Sequence, residues 1–172
     1  MKLCGEKVTL REMRPDEFGL FYSWAAESVG GKFWYGDQCG EPVPSKEKFA
    51  EEYAPHYFDG GAPELGRCFV IETGGRLIGE VNYNKIDRSD NSTELDILIA
   101  DEADMSHGYG TEAMRLLMEY LHGSMGIERF TLEVLSKNSR AIKSYFKNGF
   151  RKIGEKIENG VYYDLMEQTA PR

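Results

Sequence analysis

Apolar residues along the chain repeat with two different periods, and the switches between them mark out the elements. Val8–Arg11 alternates briefly and predicts a short first strand. Pro15 stands where a helix can begin, and Phe18, Leu20, Phe21 and Trp24 supply its apolar side until Gly30-Gly31 ends it. Past Pro42 and Pro44, Ser45 is placed to cap a second helix running to about Tyr53, where Pro55 stops it. From Arg67 the period shortens. Arg67–Thr73 and Arg76–Asp87 flank Gly74-Gly75 as a hairpin, and a turn at Ser89-Asp90-Asn91 leads into Thr93–Ala100, so three antiparallel strands form a meander.

Helical spacing then returns. Met114, Leu117, Met118 and Leu121 fall on one face of a helix over Gly110–His122, closed by Gly123 and Gly126. Phe130, Leu132 and Val134 alternate with Thr131 and Glu133 in a strand over Arg129–Leu135. The strand–helix–strand unit this makes is a right-handed crossover with its two strands parallel. A short helix over Ser139–Asn148 ends at Gly149, and Arg151–Glu158 and Val161–Met166 pair about Asn159-Gly160. The order βααβββαβαββ predicts an α/β fold: a mixed, mostly antiparallel sheet with helices on both faces. No repeat or linker divides residues 1–172, so one domain is expected.

Composition narrows the functional classes. With 41% hydrophobic and 29% charged residues the chain reads as an ordinary globular protein. No apolar run approaches a membrane-spanning length and the first residues carry no secretory signal, so a cytoplasmic protein without membrane partners is expected. Cys4, Cys39 and Cys68, like His56, His107 and His122, are scattered and match no metal or disulfide spacing, which predicts no metal site. The net charge of −8 argues against nucleic acid as a partner and favours a cationic small molecule. Seven carboxylates against two lysines between Gly36 and Glu64 concentrate that charge.

The segment with the strongest chemical content is Met105-Ser106-His107-Gly108-Tyr109-Gly110-Thr111-Glu112-Ala113, lying between a strand and an amphipathic helix. Glycines at a helix start allow an anion to approach main-chain N–H groups left free in the first turn, and the helix dipole adds to the attraction. A pyrophosphate is the expected guest. Gly108–Ala113 also fits the dinucleotide fingerprint G-x-G-x-x-A, but that unit normally opens a series of parallel βαβ repeats. Here it follows an antiparallel meander and leads to one parallel strand.

Met105–Ala113 resembles the R/Q-x-x-G-x-G/A acyl-CoA loop of the GNAT acetyltransferases. Asn138-Ser139-Arg140-Ala141-Ile142-Lys143-Ser144-Tyr145-Phe146-Lys147-Asn148-Gly149-Phe150 resembles that family's N-x-x-A-x-x-x-Y-x-x-x-G-F helix. The resemblance covers roughly Arg67–Leu165, and the two motifs keep the family's order and spacing. It departs at Met105, where the family usually has Arg or Gln, so one side-chain contact to phosphate is lost.

The resemblance implies acetyl-CoA as cosubstrate and no metal. Leu98, Ile99 and Ala100 are then expected to bond the pantetheine arm through their main chain. Ser106, His107, Gly108, Tyr109, Gly110 and Thr111 would hold the pyrophosphate, and Asn138 and Ala141 would touch the arm. Tyr145 would protonate the departing thiolate, a reasonable transfer between groups of pKa ~10 and ~8.5. The acceptor amine must be neutral to attack. Leu95, Ile97 and Ile99 share one face of their strand, leaving Glu94 and Asp96 on the other. In the preceding strand Glu80, Asn82 and Asn84 oppose Leu77, Val81 and Tyr83. Asp96 is therefore expected to act as base or to orient a water, with Glu80 and Glu94 holding a cation.

Phe33-Trp34-Tyr35-Gly36, with Glu51-Glu52-Tyr53-Ala54-Pro55, resembles a segment of the aminoglycoside 6′-N-acetyltransferases, and polyamine N-acetyltransferases look similar. Trp34 and Tyr35 are accordingly expected at the acceptor site, although an aromatic pair can equally pack a core. The implied reaction moves an acetyl group onto a primary amine of a cationic small molecule. Protein N-terminal acetylation and a non-catalytic acyl-CoA sensor are the alternatives, and a homodimer is compatible with the family.

Overall fold

The computed structural model describes residues 1–170, and their elements follow the expected order with two additions. Strands β1 (Lys2–Cys4) and β2 (Thr9–Glu12) precede helices α1 (Phe18–Glu27), α2 (Lys46–Glu52) and α3 (His56–Asp59). The meander is β3 (Arg67–Thr73), β4 (Arg76–Tyr83) and β5 (Ser92–Ile99). Then come α4 (Tyr109–Met125), β6 (Arg129–Leu135), α5 (Ser139–Lys147), β7 (Arg151–Glu158) and β8 (Val161–Thr169). The unexpected β1 offers only Leu3 as an inward apolar residue, too little to show as alternation, and is held as a hairpin with β2 by Gly5 N–H on Val8 O at 2.9 Å. Strand β4 stops at Tyr83 instead of Asp87 because the chain turns away there, and the Ile86 N–H bonds Glu64 O.

The sheet order is β1-β2-β3-β4-β5-β6-β8-β7, and β5–β6 is the parallel pair. That pairing covers only Ser92–Glu94 against Arg129–Thr131, while β4 and β8 stay paired to β5 and β6 much further along. Past Glu94 the two central strands separate, and the sheet opens into a wedge.

Helices cover both faces. On one side α4 and α5 bury Met114, Leu117 and Tyr145 against Leu95, Phe130 and Leu132. On the other, α1–α3 bury Phe21, Phe49 and Phe58 against Val70 and Leu98. Alternation along β5 holds, but β4 departs from it. The β3–β4 register slips so that Ile71 faces Gly79 while Glu72 faces Leu77, leaving Ile78 as an extra residue. Leu77 therefore packs with the α1–α3 core, opposite Val81 and Tyr83, correcting the expectation that the three share a face. The bulge also bends β4 beside the wedge.

Candidate active site

The loop before α4 folds into a cradle of free donors. Gly108 takes φ +83° and Ser106 φ +66°, which turns successive N–H groups to one side. Among the described residues, the N–H groups from Ser106 to Thr111 have no protein acceptor; the first N–H of α4 to find one is that of Glu112, on Gly108 O at 3.0 Å. Such a group of free donors is the geometry that two glycines at a helix start allow, and its chemistry suits an anion. Its ends are fastened. The Asp104 carboxylate accepts two bonds from Arg76, at 2.7 and 3.2 Å, and Glu112 accepts the N–H groups of Glu6, Lys7 and Val8 at 3.0, 2.7 and 2.8 Å. His107 and Tyr109 contribute through the main chain. The His107 ring bonds Ala103 O at 3.0 Å, Tyr109 packs on the α4 core, and neither lines the cavity.

The cavity, of about 470 Å³, runs from this cradle into the wedge. Ile97, Leu98 and Ile99 line one wall, and Glu133, Val134 and Leu135 the other. Met105, Ser106, Gly108, Gly110, Thr111, Asn138 and Ala141 also reach it. Ala100 does not serve as expected: its N–H bonds Ile78 O at 2.9 Å and its C=O accepts from Gly30 at 3.0 Å. Because N–H and C=O direction alternates along a strand, Ile97 and Ile99 turn theirs to the open edge, while those of Leu98 turn to β4. Gly30 closes over this edge, and a Cβ there would overlap the Ile99 carbonyl oxygen.

Helix α5 forms the remaining wall. Asn138 caps it as expected, accepting the Ala141 N–H at 3.3 Å. Two unforeseen bonds tie it to α4: Thr111 Oγ1 with Ser144 Oγ at 2.7 Å, and Asn148 Nδ2 to Thr111 O at 3.0 Å. Tyr145 is 8% exposed and lines the cavity, and its hydroxyl makes no hydrogen bond among the described residues. Burial and the charge of Asp96 push its phenol above the usual value, so it stays protonated. The gap to a thiol in water is wider than expected from the sequence, but desolvation in the same cavity raises a thiolate's basicity as well.

The carboxylates lie behind the wedge, on the α1–α3 side. Asp96 Oδ2 accepts from Asn84 Nδ2 at 2.9 Å. Burial raises the Asp96 pKa, and the Asn84 bond opposes the rise. Glu94 is pushed up to about 7, first by burial and then by Asp96 and Glu133. Glu80 is fully buried; Asn82 donates to it at 3.1 Å, its other oxygen has no partner, and burial lifts its pKa well above the carboxylate range. A neutral, enclosed acid does not grip a cation, so Glu80 is corrected from that role. Trp34 reaches the cavity while packing edge-on to Phe21. The Tyr35 hydroxyl donates to Glu52 at 3.1 Å, and burial and the carboxylates of Glu52, Asp96 and Glu41 all raise its pKa.

Residues 7–151 match the model of the acetyltransferase (GNAT) domain. The chain belongs to the GNAT family. It is 26% identical over 159 residues to an aminoglycoside N(6′)-acetyltransferase type 1 of Klebsiella pneumoniae, covering 87% of this chain and 76% of that one. To a spermidine N(1)-acetyltransferase of Vibrio cholerae it is 28% identical over 164 residues, 92% of this chain and 90% of the other. Its fold matches the crystal structure of spermidine N-acetyltransferase from Vibrio cholerae with CoA and spermine at a TM-score of 0.78, with 21% identity and 96% of each chain covered. AAC(6′)-Ib with ribostamycin and coenzyme A matches at 0.75, with 23% identity over 95% of this chain and 94% of that one. At these identities the structural likeness is one of fold.

Met105 stands where the loop that this one resembles has Arg or Gln, and cations reach the cavity from other elements. Arg140, Lys143 and Lys147 line the cavity from α5. Lys7 Nζ sits 3.1 Å from His107 O, beside Gly108. Sequence reasoning passed over these cations, although the i, i+3, i+7 spacing of the three on α5 was open to it.

Proposed function

We propose that this GNAT enzyme transfers acetyl from acetyl-CoA directly to a primary amine on a cationic small molecule of the polyamine or aminoglycoside kind. The observation that carries the reading is the wedge: its cavity runs from the anion cradle to Tyr145, and the carboxylates of Asp96 and Glu94 stand behind it on the α1–α3 side. The N–H groups of Ser106 to Thr111 hold the pyrophosphate, and the open edge at Ile97 and Ile99 holds the pantetheine amides. The neutral amine attacks the thioester carbonyl, a C–N bond forms, and the C–S bond breaks. The amine's surplus proton passes to Asp96, directly or through a water, and the thiolate takes the Tyr145 proton. Glu94, Glu52 and Glu41 supply the negative field that favours a cation. The activities of the aminoglycoside and spermidine relatives support the same class.

Mass spectrometry of spermidine and of kanamycin after incubation with acetyl-CoA and the protein tests this. One acetyl group on a primary amine is the expected product. Acetyl-CoA that stays intact with both amines contradicts the proposal.

A further inference from the structure

We propose that Tyr57 and Asn84 are positioning residues, a hydrogen-bonded chain that aims the Asp96 carboxylate at the acceptor amine. The inference rests on the reading of Asp96 as base and adds how that base is held. The Tyr57 hydroxyl donates to Asn84 Oδ1 at 2.8 Å, and Asn84 Nδ2 donates to Asp96 Oδ2 at 2.9 Å. Asp96 Oδ1 accepts nothing from the described residues and is not sealed off from solvent. One carboxylate oxygen is thus fixed and the other left for a proton.

The chain has a polarity. An amide presents a donor on one side and an acceptor on the other. Tyr57 holds the acceptor, which leaves the donor for Asp96. Rotating the amide would set its oxygen against the carboxylate, a contact tolerated only with Asp96 protonated. The Asn84 main chain is itself pinned, its N–H on Glu94 O at 2.9 Å and its C=O accepting from Thr93 Oγ1 at 2.8 Å. Tyr57 is nearly buried, with its ring 5.4 Å from that of Tyr53.

No cation pairs with Asp96 among the described residues, so a neutral amide is its fixed stabilising partner. The charged group that raises the Asp96 pKa beyond its burial is Glu133 from β6. Asp96 in turn raises the pKa of Glu80, Glu94, Cys68 and the hydroxyls of Tyr35, Tyr53, Tyr57 and Tyr145, which face it from the surrounding elements. The Glu133 charge disfavours the ionised base. The Asn84 donor opposes it.

The test compares pH profiles of kcat/KM, with spermidine or kanamycin as acceptor, for the native enzyme, Asp96→Asn, Asn84→Ala, Tyr57→Phe and the Asn84→Ala/Tyr57→Phe double variant. Asn84→Ala is expected to move the rising limb to higher pH by about one unit, the tenfold effect of losing one hydrogen bond to a carboxylate. KM for acetyl-CoA should stay unchanged. Tyr57→Phe, which keeps the ring, moves the limb the same way by less, and the double variant matches Asn84→Ala because Tyr57 acts through the amide. Should Asn84→Ala show no cooperative melting, Tyr57→Phe decides alone. Limbs left at their native pH while Asp96→Asn removes the limb overturn the chain and spare the base. An equal loss of rate at every pH shows a merely structural role and also overturns it. A limb that survives in Asp96→Asn removes the base, and the chain with it.

Discussion

Replacing Glu112 with Gln tests how the anion cradle is held in place. The Glu112 carboxylate, with only 11% of its side chain exposed, accepts the N–H groups of Glu6, Lys7 and Val8 at 3.0, 2.7 and 2.8 Å. It joins the start of α4 to the β1–β2 turn, and its negative charge suits the helix N-terminus. A hydrogen bond to a charged group contributes ~1.5–3 kcal/mol. The amide keeps one acceptor oxygen without the charge, so the net loss is about 2–3 kcal/mol after partial replacement by the amide. For a chain of this size that is a Tm about 4–12 °C lower, at ~2–4 °C per kcal/mol. The three main-chain bonds outweigh burial and hold the Glu112 pKa below its ordinary value. A depressed carboxylate stabilises the fold fully above its unfolded pKa of ~4.3 and loses that stabilisation as pH falls through the lower, folded value. Thermal melts followed by circular dichroism at pH 7 and below pH 4 provide the assay. The gap between native protein and variant should be full at pH 7 and shrink in acid. Equal Tm values at pH 7, or a gap undiminished in acid, would refute the reasoning.

Other consequences follow from the same site. Tyr145→Phe should lower kcat at least ~10-fold with little change in CoA affinity, as loss of a general acid requires; unchanged turnover would remove Tyr145 from the proton transfer. Gly30→Ala forces a methyl onto the Ile99 carbonyl, so a lower Tm and a raised KM for acetyl-CoA are expected together, and a fully native variant would show that the open edge yields easily. Changing Arg140, Lys143 and Lys147 to Gln should raise the KM for acetyl-CoA and flatten its dependence on salt, with kcat nearly unchanged; an unaltered salt dependence would assign those cations to solvent.

Most of the architecture was open to a reading of periodicity, because each long element buries one face. What it missed is local or long-range. Strand β1 has three residues and one inward apolar side chain, below what alternation can reveal. The extra residue Ile78 reverses the side taken by Leu77, and a strict period of two has no way to register a bulge. At the site, the glycine cradle and the Asn138 cap were legible because their physics is contained in a few neighbouring residues. The fate of Glu80 was not. Alternation placed it opposite Val81, but the aromatic helices that seal it come from residues far earlier in the chain. Ala100 failed for a similar reason, since its carbonyl is taken by Gly30, seventy positions away. The bonds of Glu112 to residues 6–8 also join distant segments and leave no periodic trace.

The central claim is acetyl transfer to a cationic amine, and the most direct measurement is thiol release from acetyl-CoA across a panel of acceptors. Kanamycin-type aminoglycosides, spermidine and short peptides with free N-termini would be compared at equal concentration and two ionic strengths. The account predicts turnover on at least one of the polycations, falling as salt rises, and far less on peptides. Turnover confined to peptides would contradict the acidic, cation-seeking site, and acetyl-CoA binding without release of thiol on any amine would contradict the enzyme.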